Sequence, residues 1–204
     1  MDFLSVYESR RVFSFLGYMS VLSDIEIKNL SLKYRMIEPF DDSRLNKVKG
    51  RISWGVSSYG YDIRLANDFY IPKEENGILI DPKNFDLEKF EHISSKKEVV
   101  VLPRSYILAR SYEYFRVPRN ILVVVFGKST YARCGLIVNV TPLEPEWEGY
   151  ITISIVNPLD HSIKVYSEEG IAQAVFLEAK SMCEISYKDK GGKYQSQKVI
   201  TPPK

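Results

Sequence analysis

An unbroken apolar run, Ile121-Leu122-Val123-Val124-Val125-Phe126, constrains the fold more than any other feature of the chain. Its length and its wealth of β-branched residues mark it as a strand buried on both faces. It is one of a series. Glu98 to Leu102, Tyr106 to Arg110, Leu136 to Val140, Tyr150 to Val156 and Ala172 to Leu177 share its short, strand-forming character. Pro103-Arg104, Pro118-Arg119-Asn120 and the loop from Pro142 to Pro145 separate them. Short strands at roughly 8–12-residue spacing, with turn signals between them, define an all-β, mainly β architecture: a barrel or a sandwich.

At 204 residues the chain fits one domain with a real core. Lys and Arg number 28 against 26 Asp and Glu, so the sequence advertises no surface for a polyanion and nucleic acid is not the default partner. Cys134 and Cys183 have no metal-type spacing and read as two small buried residues with free thiols, as in a reducing cytoplasm. No apolar segment approaches the roughly 20 residues needed to cross a bilayer, so no membrane partner is expected.

Residues 1–18 read as an N-terminal extension. Arg10-Arg11 ahead of Val12 to Leu16 superficially suggests a secretory signal, but the apolar part is short, Glu8 lies upstream and no small-residue cleavage site follows. Met19 is then the better start. Ser23-Asp24-Ile25-Glu26 is a capping box opening a short helix, with Ile27, Leu30 and Tyr34 on one face. Ser53 to Leu65 is polar, strand-like sequence punctuated by Gly55 and Gly60, in which Asp62 reads as ordering a turn or a subunit contact. Asn67 to Ser95 reads as loop-rich, and the glycine-punctuated tail from Asp189 as a floppy terminus.

Two places carry chemistry. Directly after the apolar run comes Gly127-Lys128-Ser129-Thr130-Tyr131-Ala132-Arg133. A Lys point charge, an Arg fork and two hydroxyls together can neutralise and orient a di- or triphosphate, although no P-loop pattern is present. A solvated turn with two unrelated surface cations is the competing reading. The second place is the strand after Trp147. Ile151, Ile153 and Ile155 alternate toward a core, which leaves Thr152 and Ser154 together on the other face.

Four separated motifs, GKSTYARCG from Gly127, VNVTPLEPEWEGYITI from Val138, EGIAQ at Glu169 to Gln173 and KYQSQ at Lys193 to Gln197, resemble the bacterial dCTP deaminases in one register from about Met19 to the C-terminus. The resemblance implies a distorted dUTPase-like β-barrel of the β-clip type with a few short helices. It implies a single domain over 19–204 whose C-terminal segment, at about 188–204, closes as a lid hinged at Gly191 and Gly192. The implied reaction converts dCTP and water to dUTP and ammonia in the cytoplasm. The implied assembly is a homotrimer with sites at subunit boundaries, and inhibition by dTTP is a point to test. By the same resemblance Lys128, Ser129, Thr130, Tyr131, Ala132 and Arg133 hold the phosphates and sugar, with Ser129 also near the reacting water. Thr152, Ile153 and Ser154 line the base pocket, and Gln173, Tyr187 and Gln197 contact phosphates or sugar. From the residues alone Gln173 reads as a buried amide and Tyr187 as a core aromatic.

The zinc-deaminase signature H-x-E with P-C-x-x-C is missing, since His92 and His161 are followed two places later by Ser94 and Ile163. The resemblance implies no catalytic metal, with Mg2+ only as part of the nucleotide complex. The family's catalytic glutamate falls at Ser154, whose hydroxyl can hold a water but cannot act as a base near neutral pH. Three explanations compete: an introduced inactivating substitution, a natural member with lost or altered activity, and, ranked below both, a substitute base among Glu144, Glu146 and Glu148. Three functions follow: dCTP deaminase, a non-catalytic dCTP-binding homologue, and, with least support, dUTP diphosphatase.

Overall fold

The computed structural model describes residues 20–43, 49–73, 79–94 and 97–203. The expectations for the extension at 1–18 and for Lys204 lie outside the described residues. Strands dominate, in the order β1 (Ser20–Val21), β2 (Ile37–Glu38), β3 (Gly55–Ser57), β4 (Gly60–Pro72), β5 (Phe90–Ser94), β6 (Glu98–Val101), β7 (Ser105–Arg116), β8 (Ile121–Gly127), β9 (Ile137–Asn139), β10 (Glu148–Asn157), β11 (Ile163–Tyr166) and β12 (Gly170–Glu178). Helix α1 (Asp24–Tyr34) follows β1, and a single helical turn, α2 (Ser129–Ala132), follows β8.

One large antiparallel sheet runs β1-β12-β4-β7-β10-β9. Strand β8 adds to β12, β3 and β5 to β4, and β2 to β7, while β11 and β6 pair separately. The sheet curls on itself. Leu143, just beyond β9, bridges to Val123 of β8, and a side chain at Gly127 would place its Cβ 3.4 Å from that of Val138 in β9. The enclosed core holds Tyr61, Ile63, Leu65, Phe69, Ile107, Phe115, Val123, Ile151, Ile153, Ile155 and Phe176. Their period-2 placement is the ordinary consequence of a pleated strand with one face buried.

Several expectations change. The apolar run is buried on one face only: Ile121, Val123 and Val125 enter the core, whereas Leu122 and Val124 are half-buried and Phe126 is 57% exposed. Asn67 to Ser95 is less loop-rich than it reads, because β4 continues through Pro72 and pairs with β5. Pro72 closes β4 beyond Tyr70, the last residue paired with β7, so it interrupts no ladder on that side. Likewise Tyr106 to Arg110 is only the first half of β7, which runs to Arg116, just before the Pro118 turn. In α1 the capping box forms, with the Ser23 N–H donating to Glu26 Oε2 at 2.7 Å, and Ile27 is fully buried. Tyr34, at 56% exposure, leaves the shared face, as the chain ends the helix at Arg35 in the left-handed conformation. The expected turn at Lys128 is helical at its centre, with Lys128 as its N-cap.

Candidate active site

The polar turn is built by what flanks it. Strand β8 delivers Gly127 against Ala172 of β12, and the Lys128 N–H donates to Ile171 O at 3.0 Å. Tyr131 anchors the single turn of α2 from below: its ring is buried and its hydroxyl accepts the Tyr166 N–H at 3.0 Å. Burial pushes that phenol up to about 12, so it remains a neutral anchor at physiological pH. Ser129, Thr130, Ala132 and Arg133 are left exposed, with Arg133 Nη1 donating to Ser129 O at 3.1 Å. Lys128 is the exception to this exposure. Its ammonium pairs with the Asp62 carboxylate, and the two side chains are only 11% and 17% exposed.

Asp62 comes from β4, directly opposite Gln173 on β12, and Gln173 Nε2 donates to Ser57 Oγ at 3.0 Å. Lys128, Asp62, Gln173 and Ser57 therefore form one polar group at the end of β12. Gln173 is half-buried on the outer side of the sheet, so its amide is not the buried one that its sequence surroundings suggest.

A second group gathers on β10. Alternation holds along the whole strand, with Ile151, Ile153 and Ile155 buried and Thr152 and Ser154 half-buried on the outer face. Ile153 thus offers a pocket on that face only its backbone. Opposite Thr152 lies Arg110 of β7, and opposite Ser154 lie Leu108 of β7 and Asn139 of β9. Arg110 was missed by sequence reasoning, because only the strand register places it there. Its guanidinium stacks over the Tyr150 ring at 4.6 Å and its Nε reaches Asp68 Oδ2 at 3.4 Å.

The tail completes this second group. Gln197 bridges in parallel to Gly149, the Tyr150 N–H donates to Gln197 O at 2.8 Å, and Thr152 Oγ1 donates to Gln197 Oε1 at 3.0 Å. Thr201 N–H then donates to Thr152 Oγ1 at 3.1 Å. Gly149, at φ +149, is required here, since a Cβ would lie 2.8 Å from the Gln197 nitrogen. Tyr187 supports the tail, its N–H donating to Pro145 O and its hydroxyl accepting the Tyr194 N–H at 3.0 Å. Gly192 packs flat on that ring, where a Cβ would come within 2.1 Å. In this structure, then, the tail is docked.

The two groups lie on neighbouring parts of the curled sheet. Gly127, one residue before Lys128, lies where an added Cβ would meet Val138 of β9, and Val138 is opposite Ile155, one residue after Ser154. The three candidate substitute bases are all engaged elsewhere: Glu144 with Lys190, Glu146 with Arg119 at 2.6 Å, and Glu148 with Ser196 Oγ at 3.0 Å.

Fold and site together define a mainly β protein with two polar groups on the outer face of its curled sheet, and the chain belongs to the dCTP deaminase-like family, whose model matches residues 21–179. The chain is 50% identical over 188 residues to the dCTP deaminase of Neisseria meningitidis serogroup A, covering 91% of this chain and 100% of that protein. It is 48% identical over 188 residues, with the same coverage, to the dCTP deaminase of Acidithiobacillus ferrooxidans. Among solved structures, the 2'-deoxycytidine 5'-triphosphate deaminase from Agrobacterium tumefaciens shares the fold, with a TM-score of 0.59 at 16% identity. That match covers 79% of this chain and 48% of the other.

Proposed function

We propose that the protein binds dCTP and is built to deaminate it to dUTP and ammonia. The observation that carries this reading is the outward pair Thr152 and Ser154 on β10, bracketed by Gln197, in a chain half identical to proteins named dCTP deaminase. Deamination needs water delivered to C4 of the ring and a group that takes the water's proton. The outer face of β10 addresses the ring, and Ser154 and Ser129 hold the water. Lys128, Thr130 and Arg133 take the triphosphate, with Gln173, Tyr187 and Gln197 around phosphates and sugar. This donor set of ammonium, guanidinium, hydroxyls and amides suits phosphate oxygens rather than a resident metal. Zinc plays no part in this reading, and Mg2+ enters with the nucleotide as part of the substrate.

The sites lie at subunit boundaries of a homotrimer, in the cytoplasm. An outward apolar stripe supports the assembly: Leu122, Val124 and Phe126 of β8 lie opposite Leu177, Val175 and Gln173 of β12, and Leu177 is opposite Val21, which is 43% exposed. Gln173 ends that stripe, so the Lys128 group stands at the margin of the face a second copy would cover.

A non-catalytic dCTP-binding homologue is the second reading, favoured by one observation. Ser154 has Asn139 and Leu108 as cross-strand neighbours, and Glu144, Glu146 and Glu148 are occupied by other partners. Incubation with dCTP and with dUTP separates the readings. Ammonia from dCTP supports deamination, saturable dCTP binding without product supports the homologue, and pyrophosphate from dUTP would point instead to a diphosphatase.

A further inference from the structure

Between Tyr150 and Thr152 the pairing of β10 with β7 jumps: Tyr150 is opposite Tyr114, but Thr152 is opposite Arg110. Three residues of β7, Ser111, Tyr112 and Glu113, therefore face the single residue Ile151. Ser111 fills the gap in the ladder. Its hydroxyl accepts the Ile151 N–H at 2.8 Å and donates to Glu113 O at 2.7 Å, closing the three-residue loop, and its side chain is wholly buried. A hydroxyl is the smallest side chain that both accepts and donates, which is what this gap demands. The offset also brings Arg110 beside Thr152 on the outer face, since pairing two residues further along would set Thr152 against another side chain.

We propose that Ser111 is a positioning residue for the nucleotide's ring, holding β10 in the offset register that sets the outward-facing Thr152 beside Arg110 and Ser154 beside Leu108; the inference rests on the dCTP reading above. Ser111 acts through the backbone of Ile151 and touches no substrate. It governs the ring-facing strand and leaves the Lys128 turn untouched, because that turn hangs from β8 and β12.

The test compares dCTP with inorganic tripolyphosphate, by calorimetry, on the native protein, Ser111→Ala and Ser111→Thr. Ser111→Ala weakens dCTP binding at least about tenfold. The same variant leaves tripolyphosphate within about twofold, and Ser111→Thr, which keeps the hydroxyl, restores dCTP binding to within about twofold. Equal loss for both ligands, no loss for either, or failure of the threonine to restore binding overturns the proposal. Should Ser111→Ala not fold, Ser111→Cys takes its place in the same comparison. Amide exchange supplies a readout independent of nucleotide: Ser111→Ala speeds exchange at Ile151 and Thr152, and unchanged protection there rejects the register role. A native protein that binds no dCTP would instead reject the functional reading, even with the exchange result as expected.

Discussion

Lys128, the cation that opens the polar turn, is paired with Asp62 of β4, a residue 66 positions earlier in the chain. Both side chains are mostly shielded from solvent, so the ammonium is held in one place at the head of α2 rather than sweeping the surface. On the proposed reading, an incoming triphosphate would meet a cation already placed, which would lower the ordering cost of binding. Lys128→Met removes one charge-assisted contact, worth about 1.5–3 kcal/mol. The expected result is a loss of dCTP affinity of about tenfold or more, with deoxycytidine binding unchanged. An equal loss for the nucleoside would assign Lys128 a purely structural role.

Ser154 carries the next expectation. A carboxylate at this outward position would supply a base that Ser154 cannot, and general acid–base catalysis is typically worth roughly 10²–10⁴-fold in rate. Ser154→Glu should raise ammonia release from dCTP by at least about tenfold. Equal rates for the two proteins would refute the placement of the reacting group on β10.

Buried charge makes a prediction about pH. Glu113 is wholly buried and accepts from the Arg64 N–H at 3.0 Å and from Arg64 Nε at 2.6 Å. Burial pushes its carboxyl above the ordinary value of 4.5, with Arg64 pulling only partly against it. The folded protein thus holds this proton more tightly than the unfolded chain, so this group's contribution is full below about 4.5 and declines as pH rises through the raised value. Glu113→Gln lacks that titration. Urea unfolding across the acidic to neutral range should show the native protein's advantage over Glu113→Gln narrowing as pH rises; an advantage that widens would mean that folding lowers the affinity of Glu113 for its proton.

The contact between Gly149 and Gln197 predicts a tail phenotype. In Gly149→Ala the new methyl would stand 2.8 Å from the Gln197 nitrogen, closer than packed atoms allow. The tail should detach at Gln197 while Ile200 and the Trp147 Nε1 bond to Tyr194 O lose their register. Limited proteolysis after Lys193 or Lys198 is the measurement, and the variant should be cut faster than the native protein. Matching cleavage rates would mean that the tail does not depend on this close approach.

Assembly can be read at Phe126. Phe126→Glu places a charge at the Gln173 end of the outward apolar stripe, and desolvating an unpaired charge opposes association. Light scattering should show the native protein at three chain masses and the variant at one. A variant that stays trimeric would place the interface elsewhere.

The strands from Glu98 onward and the outward turn of Thr152 and Ser154 were legible because a period-2 pattern survives in the sequence wherever one face is buried. The long β4 was not, because Asn67, Asp68 and Pro72 are the residues that normally break strands, and here they sit beside a register shift and at a strand end. Phe126 misled for the opposite reason, since an apolar residue facing solvent in one chain looks in sequence like a core residue. Asp62, Arg110 and Ser111 carry no local signal of their roles. Asp62 is defined by a partner 66 positions away, Arg110 by Asp68 at 42 and Ser111 by Ile151 at 40, and such pairings exist only once the register does.

Thr152 receives the Thr201 N–H and gives its own hydrogen to Gln197, so the closing stretch of the polypeptide is fastened to the outer face of β10. Thr152→Val would remove both bonds at once, so one hydroxyl ties the tail to the outer face of β10.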